Sequence, residues 1–263
     1  MESLQVYVFV VAFILAFMTL LWIISLALRN SSIVDPMWGT GLVLSTWLAF
    51  TLSPDGFPAR KLLITALVTV WGARLTVHLL RRNWGKGEDY RYRQWREEAG
   101  PKWWWFSFFK VFLIQALVMS VLATAPVAAN VSPSPAGLTI LDLAALPVWA
   151  TGFFFEAVGD LQLTRFLANP ANKGKLLKTG LWRYTRHPNY FGEATMWWAH
   201  YLVALSVPYG FLTIVSPALI TFLLLRVSGV ALLEKSMVES TPGYTEYLET
   251  TSSFVPWFPG KGR

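Results

Sequence analysis

A polar, ionisable segment directly precedes and enters an apolar run in the second half of the chain. It covers residues 180–193 and reads GLWRYTRHPNYFGE. Its charged and hydrogen-bonding side chains are Arg183, Arg186, His187, Asn189, Tyr190 and Glu193. Polar groups at membrane depth are costly, so they usually line a site or a water-filled cavity. A cationic segment at the point where a helix enters a bilayer is suited to binding an anionic cofactor.

The composition predicts a membrane protein. Of the 263 residues, 54% are hydrophobic and only 14% are charged, which is less charge than a soluble domain carries. The absence of cysteine excludes disulfides, thiolate metal sites and cysteine catalysis. The formal net charge of +7 could indicate nucleic-acid binding, but no basic face with interleaved aromatic residues lies outside the apolar runs. We therefore attribute the charge to basic loops on one side of the membrane and to an anion site.

Seven apolar runs are each near the length that crosses a bilayer as a helix. They are 4–28, 34–52, 62–80, 106–129, 138–167, 188–207 and 210–233. We therefore predict an all-α membrane protein with seven transmembrane helices, in a single domain over residues 1–263. The fifth run contains Pro147, which leaves open whether it forms one long helix or a broken one.

Basic residues are concentrated in two of the connections between these runs. Residues 81–105 contain seven Lys or Arg, residues 168–187 contain five, and residues 130–137 carry no charge. The positive-inside rule places the two basic connections and the C-terminus in the cytoplasm. With seven spans, the N-terminus then lies outside.

This topology places the ionisable residues of the apolar runs in the cytoplasmic half of the bilayer. They are Asp35, Arg74, His78, Glu156, Asp160, Asn189, Glu193, Arg226 and Glu234. Several lie four positions apart and therefore share a helix face. As a set they favour a polar pocket open to the cytoplasm. For any single residue, an ion pair that only locks two helices is about equally expected. The apolar outer halves suit a lipid-like substrate.

The element Arg186-His187-Pro188-Asn189-Tyr190 resembles the RHPxY signature of a superfamily of membrane reductases and methyltransferases. That superfamily includes steroid 5α-reductases, sterol reductases and isoprenylcysteine carboxyl methyltransferases. Further residues resemble the reductase branch: Asn189 with Glu193, Asp160, Arg226, and Asp35 beside Pro36. The segments WGKGEDYRY (84–92) and PGYTEYLETTSSFVPWFP (242–259) resemble its bacterial steroid-reductase-like members. Two departures are Asp35, where the animal enzymes have Glu, and His78, where they have Tyr.

The resemblance implies NADPH as cofactor and reduction of the C=C bond of an enone in a lipophilic, steroid-like substrate. We predict that the catalytic hydrogen-bond donors to the substrate carbonyl are Asp35 and His78. The predicted cofactor-binding residues are Asp160, Arg165, Lys173, Arg183, Arg186, His187, Asn189, Tyr190, Glu193 and Arg226. The 81–105 connection, with Glu88, Asp89, Arg91 and Tyr92, is a candidate cover for the adenine end. We expect a monomer in a bacterial inner membrane, with a cytoplasmic cofactor site and no metal or nucleic acid.

Three other functions remain open on the sequence. An S-adenosylmethionine-dependent methyltransferase would share the RHPxY element, but its reaction needs no acid donor at a ketone. A sterol double-bond reductase of the same fold would need a stronger acid, because it must protonate carbon. A transporter or lipid-binding protein would be expected to show inverted repeats, and the sequence has none that we detect.

Overall fold

The computed structural model describes residues 3–227 and 229–260, and all regular structure in those ranges is helical. The α-helices are α1 Ser3–Leu28, α2 Val34–Leu52, α3 Pro58–Asn83, α4 Tyr90–Ala99, α5 Trp103–Ser107, α6 Ile114–Leu122, α7 Thr124–Val131, α8 Ile140–Ala168, α9 Pro188–Leu205, α10 Val215–Phe222, α11 Val230–Ser240 and α12 Tyr244–Thr250. Turns of π-helix at Phe108–Leu113 and Leu223–Val227 continue α5 into α6 and extend α10. The predicted all-α class is confirmed for the described residues.

Five helical stretches of the described residues are long and apolar enough to cross a membrane. They are Ser3–Leu28, Pro58–Asn83, Tyr90–Val131, Ile140–Ala168 and Gly210–Val227. Each overlaps one of the predicted runs, and together they indicate an integral membrane protein. The seven-span count and the orientation stay predictions.

The other two predicted runs also form helices, but they are less apolar. They are α2, of 19 residues, and α9, of 18 residues. Both carry the polar residues of interest near their N-termini, with Asp35 in α2 and Asn189 and Glu193 in α9. The same side chains that suggest a site therefore weaken the apolar signal of these helices.

The structure resolves the fifth run and corrects the seventh. Helix α8 is continuous through Pro147. The seventh run was expected to continue to residue 233, but α11 begins separately at Val230, so Glu234 does not lie in that span. Gly229 lies at this break, and a Cβ atom there would overlap the carbonyl oxygen of Leu224, so the close backbone approach requires glycine.

The structure divides into two compact units. The first contains the described residues up to Asp142 together with Val203–Ser216, and the second contains Leu143–Leu202 with the described residues from Pro217 onward. In the first unit, α1 buries a stripe of apolar residues spaced by four, Val6, Val10, Ile14 and Met18, against α2, α6 and α7. Such spacing defines one helix face. The single-domain prediction stays a prediction.

Helices α2 and α3 form an antiparallel pair in the first unit. The Trp47 indole donates to the Thr69 hydroxyl at 3.1 Å, and the hydroxyls of Thr40 and Thr76 are hydrogen-bonded at 3.1 Å. Thr40, near the start of α2, contacts Thr76, near the end of α3. Trp47, further along α2, contacts Thr69, which precedes Thr76 in α3. This register determines which residues of α2 and α3 lie at the same end of the pair.

A buried ion pair fixes the start of α3 to the start of α8 within the first unit. The Arg60 guanidinium donates to both carboxylate oxygens of Asp142, with Nε at 3.0 Å from Oδ1, and both side chains are fully buried. Arg60 also donates to the carbonyl oxygens of Pro135 and Gly137. Asp142 further accepts from Thr139 and Ser206. The hydrogen bonds compensate for burying both charges.

Candidate functional site

In the first unit, the side chain of Asp35 lies in a network of hydrogen bonds. Asp35 is the second residue of α2. Its Oδ1 accepts a hydrogen bond of 2.6 Å from the Tyr92 hydroxyl, and its Oδ2 accepts one of 3.3 Å from Arg91. Tyr92 is 4% exposed. A carboxyl group and a phenol in direct contact form a pair that can hold and donate a proton.

A second layer of polar side chains orients this pair. The Gln115 amide lies 3.5 Å from the Tyr92 hydroxyl, and the Trp38 indole donates to the Gln115 side-chain oxygen. Arg91 is held in turn by Asp89, whose Oδ1 accepts from its Nε at 3.0 Å. We call Asp35, Tyr92, Arg91, Gln115 and Trp38 the Asp35 cluster. Its members come from α2, α4 and α6, which no sequence spacing relates.

The connection after α3 is anchored by Glu88 to the 3-10 turn that precedes α2. Glu88 accepts from the Ser31 backbone N–H at 2.6 Å and from two nitrogens of Arg96, each at 2.8 Å. Partial burial raises the pKa of Glu88, but the hydrogen bonds from Arg96 and Ser31 outweigh it and leave the pKa below its ordinary value. The ionised carboxylate thus positions α4, which carries Arg91 and Tyr92. Arg91 and Tyr92 both contact Asp35, and the role of this connection as a cover for the adenine end stays a prediction.

His78 lies at the same end of the α2–α3 pair as Asp35. Asp35 precedes Thr40 by five residues, and His78 follows Thr76 by two. At a rise of about 1.5 Å per residue, both lie within roughly 8 Å of the threonine contact along the helix axes, on its same side. The structure therefore places the two predicted catalytic residues at the same end of this helix pair. It adds Tyr92 as the direct partner of Asp35.

In the second unit, the RHPxY element is organised around Glu234 of α11. Oε1 of Glu234 accepts from Arg186 Nε at 2.7 Å and from His187 Nε2 at 3.1 Å. Arg186 and His187 are 7% and 5% exposed. Partial burial raises the pKa of Glu234, but the hydrogen bonds from His187 and Arg186 outweigh it and lower the pKa below its ordinary value. We call Glu234, Arg186 and His187 the Glu234 clamp.

The C-terminal residues run across the same element. The Arg186 guanidinium donates to the carbonyl oxygens of Leu248, at 3.1 Å, and Thr251, at the end of α12. The Arg186 backbone N–H donates to the Ser252 carbonyl at 2.9 Å. Arg186 therefore caps α12 and pairs with Glu234, which occupies its Nε and one terminal nitrogen inside the protein. Burial and the Glu234 charge raise the pKa of the neighbouring Tyr244 to about 12.

Helices α8 and α9 bring a second group of predicted residues together. The Asn189 amide donates to the Asp160 carboxylate at 3.0 Å. A Cβ atom at Gly152 would lie 2.7 Å from the Gly192 carbonyl oxygen, so the absence of side chains here lets the helices pack closely. The Tyr190 ring stacks on His187 with a centroid distance of 5.4 Å and an interplanar angle of 5°. Glu193 lies in the same helix and is half-buried.

The remaining predicted cofactor residues are exposed cations. They are Arg165 at the end of α8, Lys173 and Arg183 in the connection to α9, and Arg226 in the π turn after α10. Within the described ranges, no hydrogen bond or ion pair engages these four side chains. Free cations are suited to phosphate groups, and the Asp160–Asn189 pair is suited to hydroxyl or amide groups. The donor set of the second unit thus fits a phosphorylated nucleotide. Among the described residues there is no group of His, Asp and Glu that would hold a metal ion.

Five residues of these clusters were not predicted as catalytic or cofactor-binding residues: Trp38, Arg91, Tyr92, Gln115 and Glu234. Tyr92 stands in WGKGEDYRY, a segment that the resemblance identified, but its pairing with Asp35 joins α4 to α2 and leaves no local pattern. Glu234 was noted as an ionisable residue late in the last apolar run, and as a position where the animal enzymes have Tyr, but it was given no role in the site. Its role depends on the chain turning at Gly229, which places α11 beside the RHPxY element. Gly229 was the feature of the sequence that could have indicated this turn.

Comparison with known proteins identifies a family and one relative. The family DUF1295, described as a protein of unknown function, matches residues 21–251. The chain is also 29% identical over 287 residues to the uncharacterized protein C594.04c of Schizosaccharomyces pombe, covering 96% of this chain and 80% of the yeast protein. No solved structure matches the chain.

Proposed function

This chain belongs to the DUF1295 family, which is related to steroid 5α-reductase-like membrane proteins, and on that basis we propose that it is an NADPH-dependent membrane reductase. The proposed reaction reduces the C=C bond of an enone in a lipophilic substrate. A 3-oxo-Δ4-steroid converted to its 5α-reduced ketone is the leading example. We propose that the protein works as a monomer.

The observation that carries this proposal is the hydrogen bond between Tyr92 and Asp35. Enone reduction places negative charge on the carbonyl oxygen, and a donor aimed at that oxygen lowers the barrier by about 3 kcal/mol. We propose Tyr92 as this donor once Asp35 is protonated, with Asp35, which also contacts Arg91, holding the hydroxyl in place. His78, at the same end of α2 and α3, is proposed as a further donor. A methyl transfer would make no use of this pair.

We assign nucleotide binding to residues of the second unit. Arg165, Lys173, Arg183 and Arg226 would bind phosphate, and Asp160, Asn189 and Glu193 would bind ribose hydroxyls or the carboxamide. His187 and Tyr190 offer stacked rings and a ring nitrogen beside these groups. Arg186 would contribute to nucleotide binding indirectly, by holding the RHPxY element in its conformation. The bound cofactor supplies hydride, while the protein supplies orientation and electrostatics.

The protein's own part in the reaction is to polarise the carbonyl and to control a proton. A protonated Asp35 can donate to the Tyr92 oxygen, which frees the Tyr92 hydroxyl to donate to the substrate. As charge builds on the substrate oxygen, the donors stabilise the enolate. The α-carbon is then protonated by water or a side chain.

The direct test is turnover by the purified chain in detergent with NADPH and a panel of 3-oxo-Δ4-steroids. NADPH oxidation and mass spectrometry of the product should show the addition of two hydrogens. S-adenosylmethionine serves as the parallel cofactor, with product mass again as the readout. A mass gain of one methyl group with that cofactor, and no reduction with NADPH, would replace the proposal by a methyltransferase.

We also propose that the basic connections and the nucleotide-binding residues face the cytoplasm of a bacterial cell, in the inner membrane. The chain has no cysteine, so single cysteines can report the side. Lys86 is an exposed residue of a basic connection, and Ala136 is an exposed residue of the uncharged one. The two test variants are Lys86→Cys and Ala136→Cys. In intact cells, a membrane-impermeant maleimide should label position 136 and leave position 86 unlabelled until lysis. The reverse labelling pattern would show that the topology is opposite to the proposed one.

A further inference from the structure

The end of α3 carries an exposed cleft that neither polar cluster uses. It has a volume of about 460 Å³ and is lined by Val77, Leu80, Arg81 and Trp84. These positions are spaced by three, one and three, so the side chains form one stripe along the last two turns of the helix. Val77 is 46% exposed and Trp84 is 82% exposed. A cleft of this size lies within the range of about 300–1,000 Å³ that holds small ligands.

The stripe changes character along the helix. All four lie in or directly after the last two turns of a helix, Pro58–Asn83, that is long and apolar enough to cross a membrane. Val77 and Leu80 precede Arg81, and Trp84 follows the last helical residue. Indole rings favour the headgroup level of a bilayer, with the apolar body toward the chains and the N–H toward water. The cleft therefore offers an apolar surface on the membrane side and a cation with a hydrogen-bond donor on the headgroup side.

The charge at this end is positive. Arg81 and Arg82 occupy the last turn of α3, and Lys86 follows shortly after. Within the described residues no hydrogen bond or ion pair holds the Arg81 side chain. The partial negative charge at a helix C-terminus is about half a unit, so these full cationic charges outweigh it. An uncompensated cation at headgroup depth attracts anionic lipid.

We propose that this cleft binds one phospholipid with an anionic headgroup. The lipid phosphate pairs with Arg81, the start of one acyl chain lies on Val77 and Leu80, and the Trp84 indole covers the glycerol region. The ligand fixes the end of α3, the helix that carries His78 three residues before Arg81. The proposal goes beyond the reductase proposal and does not depend on it, because it concerns lipid retention and not turnover.

The test is native mass spectrometry of the full chain released from micelles that contain a defined lipid. Dioleoyl phosphatidylglycerol, dioleoyl phosphatidylcholine and inorganic phosphate are compared for the wild type, Arg81→Gln and Arg93→Gln. Arg93 is the matched control, because it is an exposed arginine of α4 and its substitution changes the net charge equally. Arg81→Lys keeps the charge and should retain most of the binding. Circular dichroism verifies that each variant is helical.

We expect the wild type and Arg93→Gln to retain one phosphatidylglycerol in preference to phosphatidylcholine, and Arg81→Gln to bind it about fivefold more weakly. Leu80→Gln, which leaves the charge in place, should also weaken retention if the acyl chain lies in the cleft. Equal weakening by Arg81→Gln and Arg93→Gln would overturn the proposal, as would equal retention of both lipids. Displacement of the lipid by inorganic phosphate alone would show an anion site without lipid specificity and would also overturn it.

Discussion

The Tyr92 hydroxyl donates a 2.6 Å hydrogen bond to the Asp35 carboxylate, although 57 positions separate the two residues. Arg91, the neighbour of Tyr92, contacts the other carboxylate oxygen at 3.3 Å. The start of α4 thus supplies both a phenol and a cation to the start of α2. An ionised carboxylate only accepts hydrogen bonds, so the state of Asp35 determines whether the Tyr92 hydroxyl is available to a ligand.

Replacing Tyr92 by phenylalanine removes this donor and keeps the ring. Under the proposed mechanism, Tyr92→Phe should lower turnover by about 10²–10³-fold, as the loss of one oxyanion donor does elsewhere. NADPH affinity, measured by fluorescence titration, should change little. Tyr90→Phe is the matched control, since Tyr90 is 58% exposed. Equal turnover of the two variants would remove Tyr92 from the mechanism.

Replacing Asp35 by alanine tests the other half of the pair. Asp35→Ala leaves Tyr92 and Arg91 without their shared acceptor, so turnover should fall strongly while NADPH affinity stays close to that of the wild type. Steady-state kinetics and the same titration provide the readouts. A parallel loss of turnover and cofactor affinity would make Asp35 a structural residue.

The sequence predicted the helical class and one polar pocket, because apolar runs and intramembrane charges follow from solvation alone. Asp160 and Asn189 were both assigned to that pocket, and the structure shows that they are hydrogen-bonded to each other. The sequence did not predict that Tyr92 reaches Asp35, because that contact depends on Glu88 anchoring the preceding loop to Ser31. It missed the clamp at Glu234 for a similar reason, because the clamp requires the chain to turn at Gly229. Contacts made by a change of chain direction leave no periodic signal.

Arg183 and Arg186 are both cations of the RHPxY region, but their surroundings differ. Arg183→Gln should weaken NADPH binding about tenfold through a lost charged hydrogen bond, with little change in the unfolding midpoint, because Arg183 is exposed. Arg186→Ala should also weaken NADPH binding. In addition it should destabilise the fold by about 3 kcal/mol, because Glu234 loses a partner in a mostly buried pair. Thermal unfolding in detergent and NADPH titration separate the two effects. An unchanged midpoint for Arg186→Ala would contradict the clamp.

The Glu234 clamp should make stability depend on acid. The folded-state pKa of Glu234 lies below its ordinary value of 4.5, because the hydrogen bonds from His187 and Arg186 outweigh the effect of burial. A lowered carboxyl pKa stabilises the fold above the ordinary pKa, and that contribution is lost as the pH falls through the folded-state value. The wild type should therefore lose its advantage in unfolding midpoint over Glu234→Gln as the pH falls below the ordinary carboxyl pKa and through the lower folded-state value. Glu246→Gln, at a side chain that is 73% exposed, should show no comparable change.

Removing either partner of the Arg60–Asp142 pair should destabilise the fold, because the remaining charge stays buried without its partner. Both side chains are fully buried, so Arg60→Met leaves an unpaired carboxylate and should cost about 3–5 kcal/mol. Asp142→Leu leaves the guanidinium with only the Pro135 and Gly137 carbonyls and should cost a similar amount. The double variant removes both buried charges, so thermal unfolding should show it to be more stable than either single variant. If the two losses simply added, the pair would contribute nothing as a pair, and the connection between α3 and α8 would have to rest on the surrounding apolar contacts.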